Sequence, residues 1–341
     1  MRAVVTTQRR RMELADVPEP GEPGVGEVIV RPRAVGICGS DFHFLLGELG
    51  DGSEFPRIQG HEVGATVEAL GPGCRDGLAV GDAVALWPLS ECGRCYPCRI
   101  GRPNVCDNFS LIGIHVDGGL QELLALPDSQ VFATSEPNPA LASMAEPVSI
   151  AVRAVHRAAI ESSEHLVVFG AGPIGQAVCL LARERGASVL LIDPVASRLE
   201  LGSQTGAEVL AWSEPEEVVA AAREWSGGEG SEVVVDATGA PAAIRAAVDV
   251  AVSAGRVVLV GISAHEVSLP AFGFVDKELD VLGASCCQAA EFGEAVAFVE
   301  QHGAALERLI THRFPLEDTA QAIEHAIENP AETMKVVIGD V

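Results

Sequence analysis

Leu166-Val167-Val168-Phe169-Gly170-Ala171-Gly172-Pro173-Ile174-Gly175 is the stretch that decides the fold. Its first four residues form a continuous apolar run of the kind buried in a parallel sheet. They lead straight into three glycines and then an apolar helix over 176–183. Glycines in this pattern allow a tight turn, close approach of the backbone to a pyrophosphate and close packing of helix on strand, and the helix N-terminus offers amide donors to phosphates. Such a fingerprint is weak alone. Here a second strand answers it, Ser188-Val189-Leu190-Leu191-Ile192, ending in Asp193 where an acid should meet the adenosine ribose hydroxyls. An acid there also repels a 2′-phosphate, so NAD is expected over NADP.

Downstream, strand-and-turn units recur at 232–239, 255–261 and 279–283, separated by helical stretches such as 240–254. That alternation predicts a doubly wound parallel sheet. The tail reads as helices over 291–302 and 317–328 followed by a strand over 335–338. Upstream the pattern differs: short apolar runs at 3–5, 27–30, 63–70 and 83–87 alternate with turns rich in Pro and Gly, which predicts β-rich structure.

The upstream part carries the chemistry. Gly36-Ile37-Cys38-Gly39-Ser40-Asp41-Phe42-His43 and Gly60-His61-Glu62 bring together a thiol, two imidazoles, two carboxylates and a hydroxyl. Soft sulfur, borderline nitrogen and acidic oxygen suit zinc, and a site with three protein ligands keeps a position open for chemistry. Cys92-Gly93-Arg94-Cys95-Tyr96-Pro97-Cys98, with Cys106 further on, can wrap a tetrahedral ion with no open position, as in structural zinc; a free-thiol loop or an iron–sulfur cluster are the alternatives. His115 either lines a substrate cleft or is an ordinary structural histidine. Glu146 at a helix start is, taken alone, a favourable N-terminal charge. Cys74, Cys179, Cys286 and Cys287 read as small apolar packing residues.

Composition narrows the class. A chain of 341 residues exceeds what one hydrophobic core sustains, and a hydrophobic fraction of 48% is ample for two. A net charge of −25 without a basic patch disfavours nucleic acid and anionic membrane. No apolar run reaches membrane-spanning length, and Met1-Arg2-Ala3-Val4-Val5 lacks the pattern of a signal peptide, so a soluble cytoplasmic protein is expected. In that setting nine cysteines point to metal or catalysis and not to disulfides.

These marks together resemble the zinc-containing medium-chain dehydrogenase/reductase family over nearly the whole chain. The residues that carry the resemblance are 36–41, Gly60-His61-Glu62, the four-cysteine lobe, Ala145-Glu146-Pro147, 170–175 and 255–261. One departure is Ala65, where many relatives carry glycine; Gly64 is displaced by one. The resemblance implies an α/β protein with a GroES-like β-rich catalytic domain, residues 1–151, bearing a structural zinc lobe at about 88–108. A Rossmann NAD-binding domain would follow at 152–288, and residues 289–341 would return to the catalytic domain.

It further implies two zinc ions and NAD. Cys38, His61 and Glu146 would ligate the catalytic zinc, with water or Glu62 completing the shell and Asp41 fixing the His61 tautomer; Cys92, Cys95, Cys98 and Cys106 would hold the structural one. Glutamate at 146 in place of cysteine is the pattern of polyol and threonine dehydrogenases. Ser40 would take the substrate proton and pass it through the cofactor ribose to His43. The expected cofactor contacts are Gly170, Gly172, Pro173, Ile174, Gly175, Asp193, Arg198, Thr238, Val260 and Gly261. Residues 110–119 are similar to a segment of bacterial sugar-acid dehydrogenases, so the expected substrate is a secondary alcohol of a sugar acid or polyol, oxidised to the ketone. A threonine-type or general secondary-alcohol dehydrogenase is the alternative, and a non-catalytic NAD- and zinc-binding module a remote one. A homodimer or homotetramer is expected, with 256–261 contributing to the contact.

Overall fold

The computed structural model describes residues 1–49, 54–263 and 265–339. The chain divides into two compact units, one of residues 1–147 with 288–341 and one of 148–287. Both junctions precede the expected ones at 151/152 and 288/289. The first falls inside the helix Ala145–Ala158, where nothing in the sequence marks a break.

The unit of residues 148–287 is built on a six-stranded parallel sheet. Its strands run in the order Glu208–Ala211, Ser188–Asp193, His165–Phe169, Ser231–Asp236, Ala251–Leu259, Asp280–Gly283. The chain winds outward in one direction from His165–Phe169 and in the other from Ser231–Asp236. The switch between those two strands is where such sheets bind ligands, at the strands' C-terminal ends. Val167, Phe169, Leu190, Ile192, Val234 and Val257 are buried in one core, as their unbroken apolar runs require. Three of the connecting helices, Pro173–Glu184, Pro215–Trp225 and Pro241–Val250, have proline in the first turn, where its missing N–H costs nothing.

The helix expected over 240–254 ends at Val250. Ala251 already pairs with Ser231, and Ala254 takes a left-handed φ of 60° at an irregularity in the ladder, which no helix tolerates.

In the other unit, the strands Val131–Ala133, Ala83–Leu86, Glu62–Leu70, Glu27–Gly36, Lys335–Gly339 and Ile310–Phe314 lie side by side in that order, with Leu124–Pro127 also pairing to Glu27–Gly36. The C-terminal segment is therefore woven into the sheet: Val337 stands opposite Gly36, and Gly36 opposite Glu62. A smaller sheet orders Arg11–Asp16, Arg2–Gln8 and Arg57–Ile58. Buried Val28, Val30, Val63, Val67, Val84, Leu86, Val336 and Ile338 form the core. Among the described residues no helix is long and apolar enough to cross a membrane.

The glycine turn after Phe169 is held by contact. Gly170 has φ 100°, and a Cβ on Gly175 would lie 1.8 Å from the Gly170 carbonyl oxygen, a backbone atom that cannot step aside. Gly175→Ala should therefore destabilise the protein by about 1–3 kcal/mol through overpacking. Urea unfolding followed by tryptophan fluorescence measures this, and a midpoint equal to wild type would show that the turn can open.

Candidate active site

Cys38 caps the short helix Gly39–Leu45, directly after the strand Glu27–Gly36, and His61 precedes the neighbouring strand Glu62–Leu70. Pairing of those strands sets Cys38, His61 and Glu62 together, their ligand atoms all within 4.8 Å of one another. Space is made for the Glu62 carboxylate by the glycine opposite: a Cβ on Gly36 would sit 2.0 Å from Glu62 Oε2. Glu146, in the first turn of Ala145–Ala158, is buried close enough to His61 and Glu62 for their charges to act on it.

The electrostatics are those of a cation site. Burial pushes the Glu146 carboxyl up to about 7, against the pull of His61. Burial also raises Asp41, again opposed by His61. Burial disfavours a charged imidazole at 61, yet Asp41, Cys38 and Glu146 together hold His61 well above its ordinary pKa. His61 Nδ1 is buried with no hydrogen-bond partner, and Asp41 Oδ1 stands 3.8 Å away. Sulfur, imidazole and carboxylate are donors that fit a zinc ion.

Glu62 has a cation of its own. Lys335 Nζ, contributed by the C-terminal strand, donates to Glu62 Oε1 at 2.6 Å, to Oε2 at 2.7 Å and to the Ile37 carbonyl at 3.0 Å. Ser40 Oγ lies 3.3 Å from His61 Nε2. His43, one turn further along the helix, is half-exposed, and Glu48 Oε2 engages its Nδ1 at 2.8 Å.

The four-cysteine segment is gathered between the paired strands Leu89–Ser90 and Ser110–Leu111. Cys92, Cys95, Cys98 and Cys106 lie within 4.8 Å of one another, with Cys95 Sγ 3.4 Å from Cys98 Sγ and 3.6 Å from Cys106 Sγ. No disulfide joins them. Around one ion with bonds of about 2.3 Å, sulfurs of a tetrahedron are about 3.8 Å apart, so the spacing leaves room for a single ion. Amides of Arg94 and Cys95 lower the Cys92 thiol to about 6, while burial and the neighbouring sulfurs push Cys98 up to about 12. Four sulfurs gathered in this way suit a single cation.

In the other unit, Gly172 begins the helix Pro173–Glu184 and a Cβ there would meet nothing within 4 Å. That open helix start, beside the switch between the central strands, fits a pyrophosphate. Asp193 is pinned toward it, Oδ2 accepting from Ala171 N at 2.7 Å and Oδ1 from Val195 N at 2.8 Å. A Cβ on Gly170 would come 2.7 Å from Thr238, so these two touch across the switch. The amides of Val260 and Gly261 both bond the Asp236 carbonyl, and the Thr238 hydroxyl donates to the Asp236 carboxylate at 2.6 Å. Pro173 and Ile174 are half-buried in the helix's first turn, and Arg198 is half-buried in Ala196–Gln204.

Sequence reasoning missed Lys335, Glu48 and Asp236. Lys335 opens an apolar strand, the one signal available for an inward-facing charge. His115, a candidate for a substrate cleft, is exposed and serves its own turn, accepting from Leu111 N at 3.2 Å and meeting Phe109 edge-on.

Residues 24–136 match the family described as alcohol dehydrogenase GroES-like domain, and residues 173–301 the family described as zinc-binding dehydrogenase. A zinc-type alcohol dehydrogenase-like protein of Haemophilus influenzae is 33% identical over 98% of this chain and 98% of its own. L-galactonate-5-dehydrogenase of Escherichia coli is 33% identical over 93% of this chain and 92% of its own. Among solved structures, an Escherichia coli protein described as a short chain alcohol dehydrogenase complexed with NADH matches with a TM-score of 0.88 at 29% identity, covering 99% of each chain.

The buried ion pair yields a stability prediction. Lys335→Met leaves the Glu62 carboxylate buried without its cation and should cost about 3–5 kcal/mol, whereas Lys335→Met with Glu62→Gln should recover most of it. Urea unfolding of the three proteins decides; a single variant as stable as wild type would mean Glu62 is balanced elsewhere.

Proposed function

The chain belongs to the zinc-binding alcohol dehydrogenase family, and we propose that it oxidises a secondary alcohol of a sugar acid or polyol to the ketone with NAD as acceptor. The observation that carries the reading is the meeting of half-buried Cys38 with buried His61 and Glu62, their ligand atoms within 4.8 Å of one another, and buried Glu146 close enough for its charge to act on His61. Similarity to L-galactonate-5-dehydrogenase supports the substrate class. When bound, zinc supplies the Lewis acidity that lets an alcohol lose its proton near neutral pH, and NAD supplies the hydride acceptor.

The chain's own residues do the rest. Cys38, His61 and Glu146 hold the metal, and Glu62, taken up by Lys335, serves as charge partner. The Ser40 hydroxyl beside His61 would accept a hydrogen bond from the substrate hydroxyl and give up its own proton as it receives that one, and His43, steadied through Nδ1 by Glu48, would take up the relayed proton at Nε2 and return it to solvent. Cys92, Cys95, Cys98 and Cys106 hold a second, structural zinc. Gly172 and the helix behind it seat the pyrophosphate, and Asp193 takes the ribose hydroxyls and disfavours a 2′-phosphate. Nine free cysteines accord with the reducing cytoplasm.

Oligomerisation is assigned to a different surface from the one expected. Residues 256–259 lie within the strand Ala251–Leu259, which is flanked on both sides, by Ser231–Asp236 and by Asp280–Gly283. Asp280–Gly283 is one of the two edge strands of that sheet, and the same unit exposes Ile262, Phe272 and Val275, each more than 70% accessible. Through these a homodimer or homotetramer would form.

The zinc-loaded protein should reduce NAD, and NADP far more slowly, with one or more of a panel of aldonates and hexitols. Cys38→Ser should abolish turnover, lower the zinc content from two per chain to one and leave NAD binding intact. Wild-type rates in that variant would remove Cys38 from the site, and activity on L-threonine alone would replace the substrate class. Light scattering should give two or four chains per particle, reduced to one by Val281→Lys with Phe272→Glu; a monomeric wild type would refute the assembly.

A further inference from the structure

Behind the proposed catalytic metal site runs a line of polar side chains that the reaction does not use. Thr6, Gln59 and Asp41 have no exposed surface at all. Thr6 Oγ1 donates to Gln59 Oε1 at 2.6 Å, and Gln59 Nε2 donates to the Asp41 carbonyl at 3.0 Å and to Asp41 Oδ1 at 3.3 Å. Asp41 Oδ2 accepts from Cys38 N at 2.9 Å, which leaves Oδ1 as the oxygen facing His61 Nδ1 at 3.8 Å.

The line has one direction. Turning the Gln59 amide over would set Oε1 against two oxygens of Asp41, so the amide donates toward Asp41 and accepts from Thr6. Without Gln59 the Asp41 carboxylate keeps, among the described residues, the Cys38 amide on its other oxygen, and can swing Oδ1 away from the imidazole. A leucine would fill the same space without the desolvation that a buried amide requires. The backbone explains how the three meet: Thr6 lies in Arg2–Gln8 and pairs with Arg57, and Gln59 directly follows Arg57–Ile58, two residues before His61.

We propose that Thr6 and Gln59 are positioning residues of the metal site: they fix the Asp41 carboxylate and, through it, the ring orientation of His61, and so set the affinity of the site for zinc. The inference rests on the proposed ligand set of Cys38, His61 and Glu146. Partners that orient a ligating histidine in this way typically change metal affinity by about 10–100-fold.

The full-length zinc-loaded protein is compared with Gln59→Leu, Thr6→Val, Thr6→Ser and the Thr6→Val/Gln59→Leu double variant by competition with a graded chelator. Zinc at the four-cysteine lobe serves as the internal reference for an intact fold, and cobalt is then substituted for zinc and its visible absorption recorded. Gln59→Leu should release the less tightly held zinc at about 10–100-fold lower chelator concentration and alter the cobalt spectrum. Thr6→Val should do less, the double variant no more than Gln59→Leu, and Thr6→Ser should match wild type. Unchanged affinity and spectrum in Gln59→Leu overturn the proposal, as does a double variant whose effects multiply or a Thr6→Ser that behaves like Thr6→Val. If Gln59→Leu fails to fold, Thr6→Val, equal in shape to threonine, decides: wild-type affinity there refutes the role. A wild-type chain that binds one zinc sinks the ligand set itself, whereas two zinc ions with indifferent variants sink only the positioning role.

Discussion

In the unit formed by residues 1–147 and 288–341, Asp41, His61, Glu62, Glu146 and Lys335 are taken out of water together. Each such charge, left uncompensated, costs several kcal/mol, so the arrangement persists only if the charges answer one another. Lys335 answers Glu62, and the His61 ring answers Asp41, Cys38 and Glu146. The order of strands is what lets them do so, since Lys335–Gly339 lies beside Glu27–Gly36 and that strand beside Glu62–Leu70. Gly36, at the centre of the three, gives the carboxylate its room.

The unit of residues 148–287 meets the opposite problem. Its proposed cofactor site depends on atoms left out: Gly170 and Gly175 close the turn by contact, and a Cβ on Gly172 would meet nothing within 4 Å. A proton or a metal can repair a charge imbalance, but nothing repairs a methyl group placed against a carbonyl oxygen. This unit is thus specified by sterics and its neighbour by electrostatics.

That contrast explains what could be read in the sequence. The turn at 170–175, its answering Asp193 and the four cysteines are local patterns, in which spacing along the chain already implies spacing in three dimensions. Cys38 and His61 were legible because few residue types at that spacing serve any other chemistry. Lys335 was not, because its partner is 273 residues away and its own strand looks merely apolar. Gln59 and Thr6 were hidden for the same reason, each ordinary in its own segment and joined only by the pairing of Arg2–Gln8 with Arg57–Ile58. The helix overrun into 251–254 has another cause: alanine and valine sit well in either state, and strand pairing overrode the local preference.

Chain order adds a consequence in time. Residues 148–287 are contiguous, so that unit can complete its sheet as soon as it has left the ribosome. The N-terminal half of the other unit emerges earlier yet must wait, because the strand carrying Lys335 is synthesised 273 residues after Glu62. Until then Glu62 lacks its ammonium partner and the sheet lacks the strand beside Gly36. The Glu62 carboxylate is therefore balanced only once the strand Lys335–Gly339 has been made and has paired, whereas the sheet of residues 148–287 depends on no later segment.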